Sequence, residues 1–114
     1  MMSIQSLKID LNTLSDIGEM HERFKSELGF MDGYGANFQA WCDCMSAMRD
    51  IDSDIVNNKI GADSIFKIQL SGKHFKGNAA YDFINKAVFF KNNRSVKSKG
   101  FPLLEINFIP DGRR

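Results

Sequence analysis

The stretch Tyr34–Met45, YGANFQAWCDCM, contains a turn, a helix start and an amphipathic helix in one continuous segment. Gly35 suits a loop position with positive φ. Asn37 is a preferred N-cap residue, so we expect a helix to begin near Phe38. Residues at i, i+3, i+7 and i+10 predict the core-facing side of this helix: Phe38, Trp41, Met45 and Met48. The opposite side, predicted to face water or a partner, comprises Gln39, Asp43, Ser46, Ala47 and Asp50.

The chain before this stretch predicts one strand and one helix. Ser6–Leu11, SLKIDL, alternates apolar and polar residues with the two-residue period of a half-buried strand. Ser15 or Asp16 would cap the following helix, and Asp16 with Glu19 would form a capping box. We expect this first helix to end at Gly29. Its apolar stripe comprises Ile17, Met20, Phe24 and Leu28.

The chain beyond the second helix begins with a polar connection. Residues 51–63 lack strong periodicity, so they predict an irregular segment. Ser64–Leu70, SIFKIQL, is short and apolar, and Ser71–Gly72 is typical of a turn. We therefore expect the second strand to lie at Ser64–Leu70.

A third helix and a third strand complete the predicted elements. Gly77–Asn78 opens a helix with a wide apolar face that we expect to run to about Asn93. Arg94–Gly100 is basic and is either a frayed last turn or a loop. Leu103–Ile109, LLEINFI, is typical of a strand covered on both faces. Pro110–Gly112 is typical of a turn.

The predicted order is β-α-α-β-α-β. Strands separated by helices favour parallel pairing, so we expect an α/β fold with a three-stranded parallel sheet and helices packed against it. The 114 residues suffice for one domain, over 1–114, with a single core. The start has no apolar leader segment, and no run of about 18 apolar residues occurs. We expect a cytoplasmic protein with no membrane partner.

The net charge of +1 hides a division along the chain. Residues 1–54 carry four basic and ten acidic side chains, a net charge of −6, whereas residues 55–114 carry eleven and four, a net charge of +7. If the fold separates the halves, each would steer a partner of opposite charge, and the asymmetry would also favour a homo-oligomer. If the fold interleaves them, no such polarity results.

The sequence offers little for catalysis, cofactors or metals. Cys42 and Cys44 lie two apart on a predicted helix, which excludes a disulfide between them without breaking the helix; we expect two reduced thiols, one of them partly buried. His21 and His74 lack ligand spacing. Asp50, Asp52 and Asp54 are spaced like the first ligands of a calcium loop. However, Ile55 stands where that loop needs glycine and Gly61 where it needs a bidentate glutamate. We expect no metal, no cofactor and no enzymatic activity.

The segment Phe24–Met45, FKSELGFMDGYGANFQAWCDCM, resembles the first-helix end, loop and second helix of the barstar family, bacterial inhibitors of the ribonuclease barnase. The resemblance is specific in the YGxN turn, the Ala-Trp pair and the Asp-Cys pair. It implies a three-stranded parallel sheet with packed helices. It also implies an immunity-type protein that occludes the active site of an extracellular-type ribonuclease or another toxin.

In that family a second-helix aspartate occupies the place of a substrate phosphate, and this residue falls on Asp43. The implied partner-binding residues are Gly33, Tyr34, Gly35, Asn37, Gln39, Cys42, Asp43, Ala47 and Met48. Gln39 stands where the motif has a second acid, and Gly33 where it has an aromatic residue. Cys42 and Met48 stand where it has exposed tryptophans, and basic residues replace the acids near positions 95–99, which argues against tight binding to barnase itself.

An alternative hypothesis uses the basic second half of the chain. Lysine and arginine side chains contact nucleic-acid phosphates without sequence specificity. The candidate residues are Lys73, Lys76, Lys91, Arg94, Lys97 and Lys99. No aromatic-basic motif of an RNA-binding module accompanies them, so we favour the inhibitor hypothesis.

Overall fold

The computed structural model describes residues 3–14, 16–72 and 77–110. Three strands and three α-helices follow one another in the predicted order, with a 3₁₀ turn at Leu11–Thr13 after the first strand. The strands are β1 (Ser6–Asp10), β2 (Phe66–Gly72) and β3 (Leu104–Pro110). The helices are α1 (Ile17–Leu28), α2 (Phe38–Ala47) and α3 (Ala79–Lys99).

The sheet is parallel throughout, in the order β1-β2-β3. Its register places Leu7, Ile68 and Ile106 side by side. Leu7 and Ile68 are buried, whereas Lys8 and Lys67 on the opposite face are exposed. One face of the sheet therefore packs on the helices, and the other lies open. The predicted α/β class and parallel three-stranded sheet are confirmed.

Side-chain caps fix the starts of the helices. Asp16, Asn37 and Asn78 each accept a hydrogen bond from the backbone N–H three residues later. The ends of α1 and α3 are the left-handed residues Gly29 (φ 73°) and Gly100 (φ 89°). The predicted boundaries of α1 and the predicted start of α2 are thus confirmed, with Asp16 as the observed cap of α1.

Trp41 lies at the centre of the core. It is fully buried and meets Phe24 of α1 and Phe83 of α3 edge-on, with ring centroids 5.4 and 5.9 Å away. Phe38, one turn earlier, contacts Phe83 and Phe90 in the same manner. Such edge-to-face contacts add to the free energy of burial. The helix α2 is therefore held by its aromatic side between α1 and α3.

Polar side chains join the ends of elements to the sheet. The carboxamide of Asn92 on α3 accepts hydrogen bonds from the N–H groups of Leu103 and Leu104 and donates to the Leu104 carbonyl. Asn58, which is buried, accepts from the Ile4 N–H and donates to the Ile4 carbonyl. Each amide thus satisfies backbone groups that would otherwise be buried without partners.

Three predictions about the second half of the chain are wrong in detail. β2 begins later than expected and includes Ser71–Gly72, because Ser71 pairs with Asp10 on one side and Ile109 on the other. The residues 94–99 are neither frayed nor a loop but continue α3, which Gly100 ends by bonding the Val96 carbonyl. β3 is not covered on both faces, since Phe108 is 51% exposed.

Residues 51–63 form the predicted connection, in which Val56 makes an isolated antiparallel bridge to Phe30. The Ser15 cap and the turn beyond Pro110 lie outside the described residues. None of the described helices combines the length and hydropathy needed to cross a bilayer. The single domain over 1–114 stays a prediction.

Replacing Trp41 by alanine tests the central position of this side chain. We expect Trp41→Ala to lower the free energy of unfolding by about 3–5 kcal/mol, as large-to-small core substitutions do. Phe89 is 70% exposed, so Phe89→Ala is the matched control and should cost less than about 0.5 kcal/mol. Urea denaturation measures both. Equal losses for the two variants would contradict the assignment of Trp41 to the core.

Candidate partner-binding surface

Asp43 projects into solvent from the middle of α2. Its carboxylate accepts a hydrogen bond of 2.9 Å from Nε2 of Gln39, one turn earlier. Within the part of the chain that the structure describes, the Asp43 carboxylate forms no ion pair. The opposite side of the helix is immobilised by Trp41. A negative charge is thus presented outward on a rigid helix, with one amide fixing its orientation.

The end of α2 is tied to the rest of the chain by two cations. The Lys59 ammonium donates to the carbonyls of Ala47 and Asp50, at 3.3 and 2.8 Å. The Arg49 guanidinium donates to the carbonyls of Ser64 and Pro102. Positive groups at a helix C-terminus satisfy its free carbonyls and oppose its dipole. These bonds keep α2 from fraying next to Asp43.

The loop before α2 adopts a shape that the sequence did not predict. The residue with positive φ is Ala36, at 52°, and not Gly35. A Cβ at Gly35 would lie 3.1 Å from Nδ2 of Asn37, so a larger residue here would press on the N-cap side chain. A left-handed non-glycine residue carries backbone strain of about 1 kcal/mol or more. The loop holds this strain next to the start of α2.

The loop is anchored on the core by an aromatic contact. The hydroxyl of Tyr34 hydrogen-bonds to Nδ1 of His21, and His21 meets the ring of Phe83 edge-on at 4.9 Å. Burial lowers the pKa of His21 and raises the pKa of Tyr34, so the neutral ring accepts the phenolic hydrogen. Sequence analysis missed this pair. The signal was the spacing of His21 from Phe24 and Leu28, which places it on the apolar side of α1.

The structure separates the nine predicted partner-binding residues into two groups. The exposed residues are Gly33, Gly35, Asn37, Gln39 and Asp43, which we call the loop–α2 surface; Tyr34 is half-buried at its edge. The other residues are buried: Cys42, Ala47 and Met48.

The prediction that Ala47 faces solvent is wrong, because it packs into the core at the end of α2. Cys42 and Met48 are 1% and 0% exposed, so a partner docking on the folded chain does not reach them. Cys44 is also buried, so both thiols lie in the core, whereas we expected one of them to be partly buried. Burial raises the pKa of both thiols, that of Cys44 to about 11.

The fold interleaves acidic and basic segments at α2 and α3. Lys91 of α3 lies close enough to Asp43 for its charge to act on it, although burial dominates and lowers the pKa of Lys91. Asp50, Asp52 and Asp54 are exposed in the loop after α2. The acidic half of the chain is therefore not isolated from the basic half at this surface.

The basic residues of the nucleic-acid alternative fall into two sets. Lys73 and Lys76 lie outside the described residues. The remaining four belong to the second half of α3: Lys91, Arg94, Lys97 and Lys99. Lys91 is half-buried and the other three are exposed.

Comparison with known families gives one match. The model of the family described as Barstar (barnase inhibitor) matches residues 4–63, just over half of the chain. The matched segment includes β1, α1, the loop and all of α2. It therefore contains the whole loop–α2 surface. A search of curated proteins gave no match.

The buried imidazole of His21 predicts a pH dependence of stability. Its pKa in the unfolded chain is 6.5, and burial lowers it in the folded protein. The unfolded state therefore binds more protons between these two values, and stability should fall as the pH decreases below about 6.5. Urea midpoints at pH 7.5 and 5.5 measure this for the parent and His21→Gln. A pH response that is unchanged in the variant would contradict the assignment.

Proposed function

Because the chain belongs to the barstar family, whose model it matches over residues 4–63, we propose that it inhibits a ribonuclease or a related toxin by occluding the active site. The observation that carries this proposal is the Asp43 carboxylate, exposed on a rigid helix and without an ion pair among the described residues. A protein of this kind acts as an immunity protein and needs no catalytic group of its own.

The mechanism is imitation of a substrate phosphate. An enzyme that cleaves RNA binds phosphate through lysine or arginine donors. A carboxylate placed among such donors forms charge-assisted hydrogen bonds, which are shorter and stronger than neutral ones. Asp43 supplies this carboxylate, and its bond to Gln39 limits the orientations that it must give up on binding.

Small and polar residues before α2 would allow a close approach to the partner. Gly33 and Gly35 are exposed, and the space beside Gly33 is open except for the end of Met31 at 3.8 Å. The side-chain oxygen of Asn37 accepts the Ala40 N–H and so caps α2, and this residue is also exposed. The loop before α2 therefore has little side-chain bulk, which would let the polar rim of a partner's active site approach it closely.

The surface also constrains the charge of its partner. Lys91 stands near Asp43, and Arg94 lies one turn further along α3. A uniformly basic enzyme would meet these cations at the edge of the interface, which costs free energy. We infer that the partner combines a basic phosphate-binding pocket with acidic residues on the rim that would face α3.

Neutralising Asp43 tests the mechanism. We expect Asp43→Asn to weaken inhibition by about 30-fold or more, as the loss of a central charged residue at an interface does. The carboxylate is exposed, so the urea midpoint of this variant should match that of the parent. The assay is cleavage of a fluorogenic RNA by barnase and by a panel of extracellular bacterial ribonucleases, each titrated with the protein.

Glu105→Gln is the control, since Glu105 is an exposed carboxylate on β3 and its loss changes the net charge equally. It should inhibit the same enzyme as strongly as the parent does. Equal inhibition by Asp43→Asn and the parent would rule out phosphate imitation by this residue. Failure of the parent to inhibit any ribonuclease would direct the search to toxins with other activities.

A further inference from the structure

A basic cleft lies between the end of α2 and the second half of α3. It has a volume of about 300 Å³, which is within the range of small-molecule sites. Its cationic lining residues are Arg49, Lys91, Arg94 and Lys99. Ser46, Ser95, Ser98 and Leu103 complete the lining, so no acidic side chain contributes to it.

None of the four cations forms an ion pair with an aspartate or glutamate in the described parts of the chain. Asp43 and Asp63 act on Lys91 and Arg49 only from a distance. Lys91 is half-buried, and burial together with Arg94 lowers its pKa. Holding like charges together in a partly desolvated concavity destabilises the folded state. An anion in the cleft would remove that cost.

Part of the cleft is rigid. Arg49 stacks on the ring of Phe101 at 4.8 Å and donates to the carbonyls of Ser64 and Pro102 and to the hydroxyl of Ser95. These contacts use four of the five guanidinium hydrogens, so one hydrogen on Nη1 remains. Arg49 thus contributes a fixed positive charge and one donor.

Stabilisation of the helix end explains only some of these cations. Lysine in the last turn of a helix opposes its dipole, which accounts for Lys97 and Lys99. The effect falls off within one turn, whereas Lys91 and Arg94 lie eight and five residues before the last residue of α3. Arg94 stacks on the ring of Phe90 in the same helix, at 5.6 Å, but the helix dipole does not explain the position of either cation.

We propose that this cleft binds a small ligand with a terminal phosphate, such as a mononucleotide. The amine of Lys91, the guanidinium of Arg94, the amine of Lys99 and the hydroxyl of Ser46 would surround a tetrahedral dianion from several sides. Convergence on one concavity suits a compact group better than an extended chain of phosphates. The carboxylate of Asp43 does not line the cleft, although its charge acts on Lys91 at the margin. The proposal does not require the inhibitor function.

Phosphate titration followed by NMR tests the proposal on the full chain. Inorganic phosphate, added at constant ionic strength against chloride, should shift the backbone amides of Ser46, Ser98 and their neighbours. Adenosine monophosphate should bind at the same residues, whereas adenosine should not. The variants are Lys91→Met and Arg94→Gln, because Arg49 also joins α2 to two loops and its loss would disturb the fold.

We expect each variant to weaken phosphate binding by about tenfold or more. Lys97→Gln is the matched control, since Lys97 lies on the same helix with the same charge but does not line the cleft; it should bind like the parent. Absence of localised shifts, or equal weakening in all three variants, would overturn the proposal. Preferential binding of an RNA oligonucleotide without a terminal phosphate, compared with the mononucleotide, would also overturn it. The cleft would then bind the phosphodiester backbone of RNA.

Discussion

The packing of Trp41 between Phe24 and Phe83 is the contact on which the surface chemistry depends. It fixes the rotation of α2 about its own axis, because this ring can be buried on one side only. With Trp41 inward, residue 43 necessarily lies outward, two positions and about 200° further around the helix. The exposed carboxylate of Asp43 is thus a geometric consequence of the core.

The helix α2 serves two chemically opposite surfaces. Asp43 presents a negative charge on the exposed side of α2, while Ser46 and Arg49 line a basic cleft shared with α3. Asp43 and Ser46 are only three positions apart in the sequence. Lys91 of α3 also lies near Asp43, so the charge division along the sequence does not become a division in space around α2 and α3.

Local signals predicted the first half of the chain better than the second. Asp16, Asn37 and Gly29 act within one turn of their own positions, so their roles follow from residue type. The extension of β2 through Ser71 depends on pairing with Asp10 and Ile109, which are distant in sequence. The full length of α3 likewise depends on Ser95, whose hydroxyl donates to the Phe101 carbonyl and accepts from Arg49.

The candidate surface was likewise predictable only where local patterns determine it. The outward position of Asp43 followed from helical periodicity, since it lies opposite Trp41. The burial of Met48 also followed from periodicity, whereas the resemblance placed it on the binding surface. The burial of Ala47 did not follow from periodicity, because the connection after α2 packs against this end of the helix, where the Ile60 N–H donates to the Met48 carbonyl. The pairing of Tyr34 with His21 also joins elements whose contact no local pattern specifies.

The chain contains a single tryptophan. It lies on the opposite side of α2 from Asp43 and is fully buried. Its fluorescence therefore comes from one defined environment, without overlapping signals from other indoles. Emission would report directly on the integrity of the helix that carries the exposed carboxylate. Trp41 is thus an intrinsic fluorescent probe for the helix of the loop–α2 surface, with no label needed.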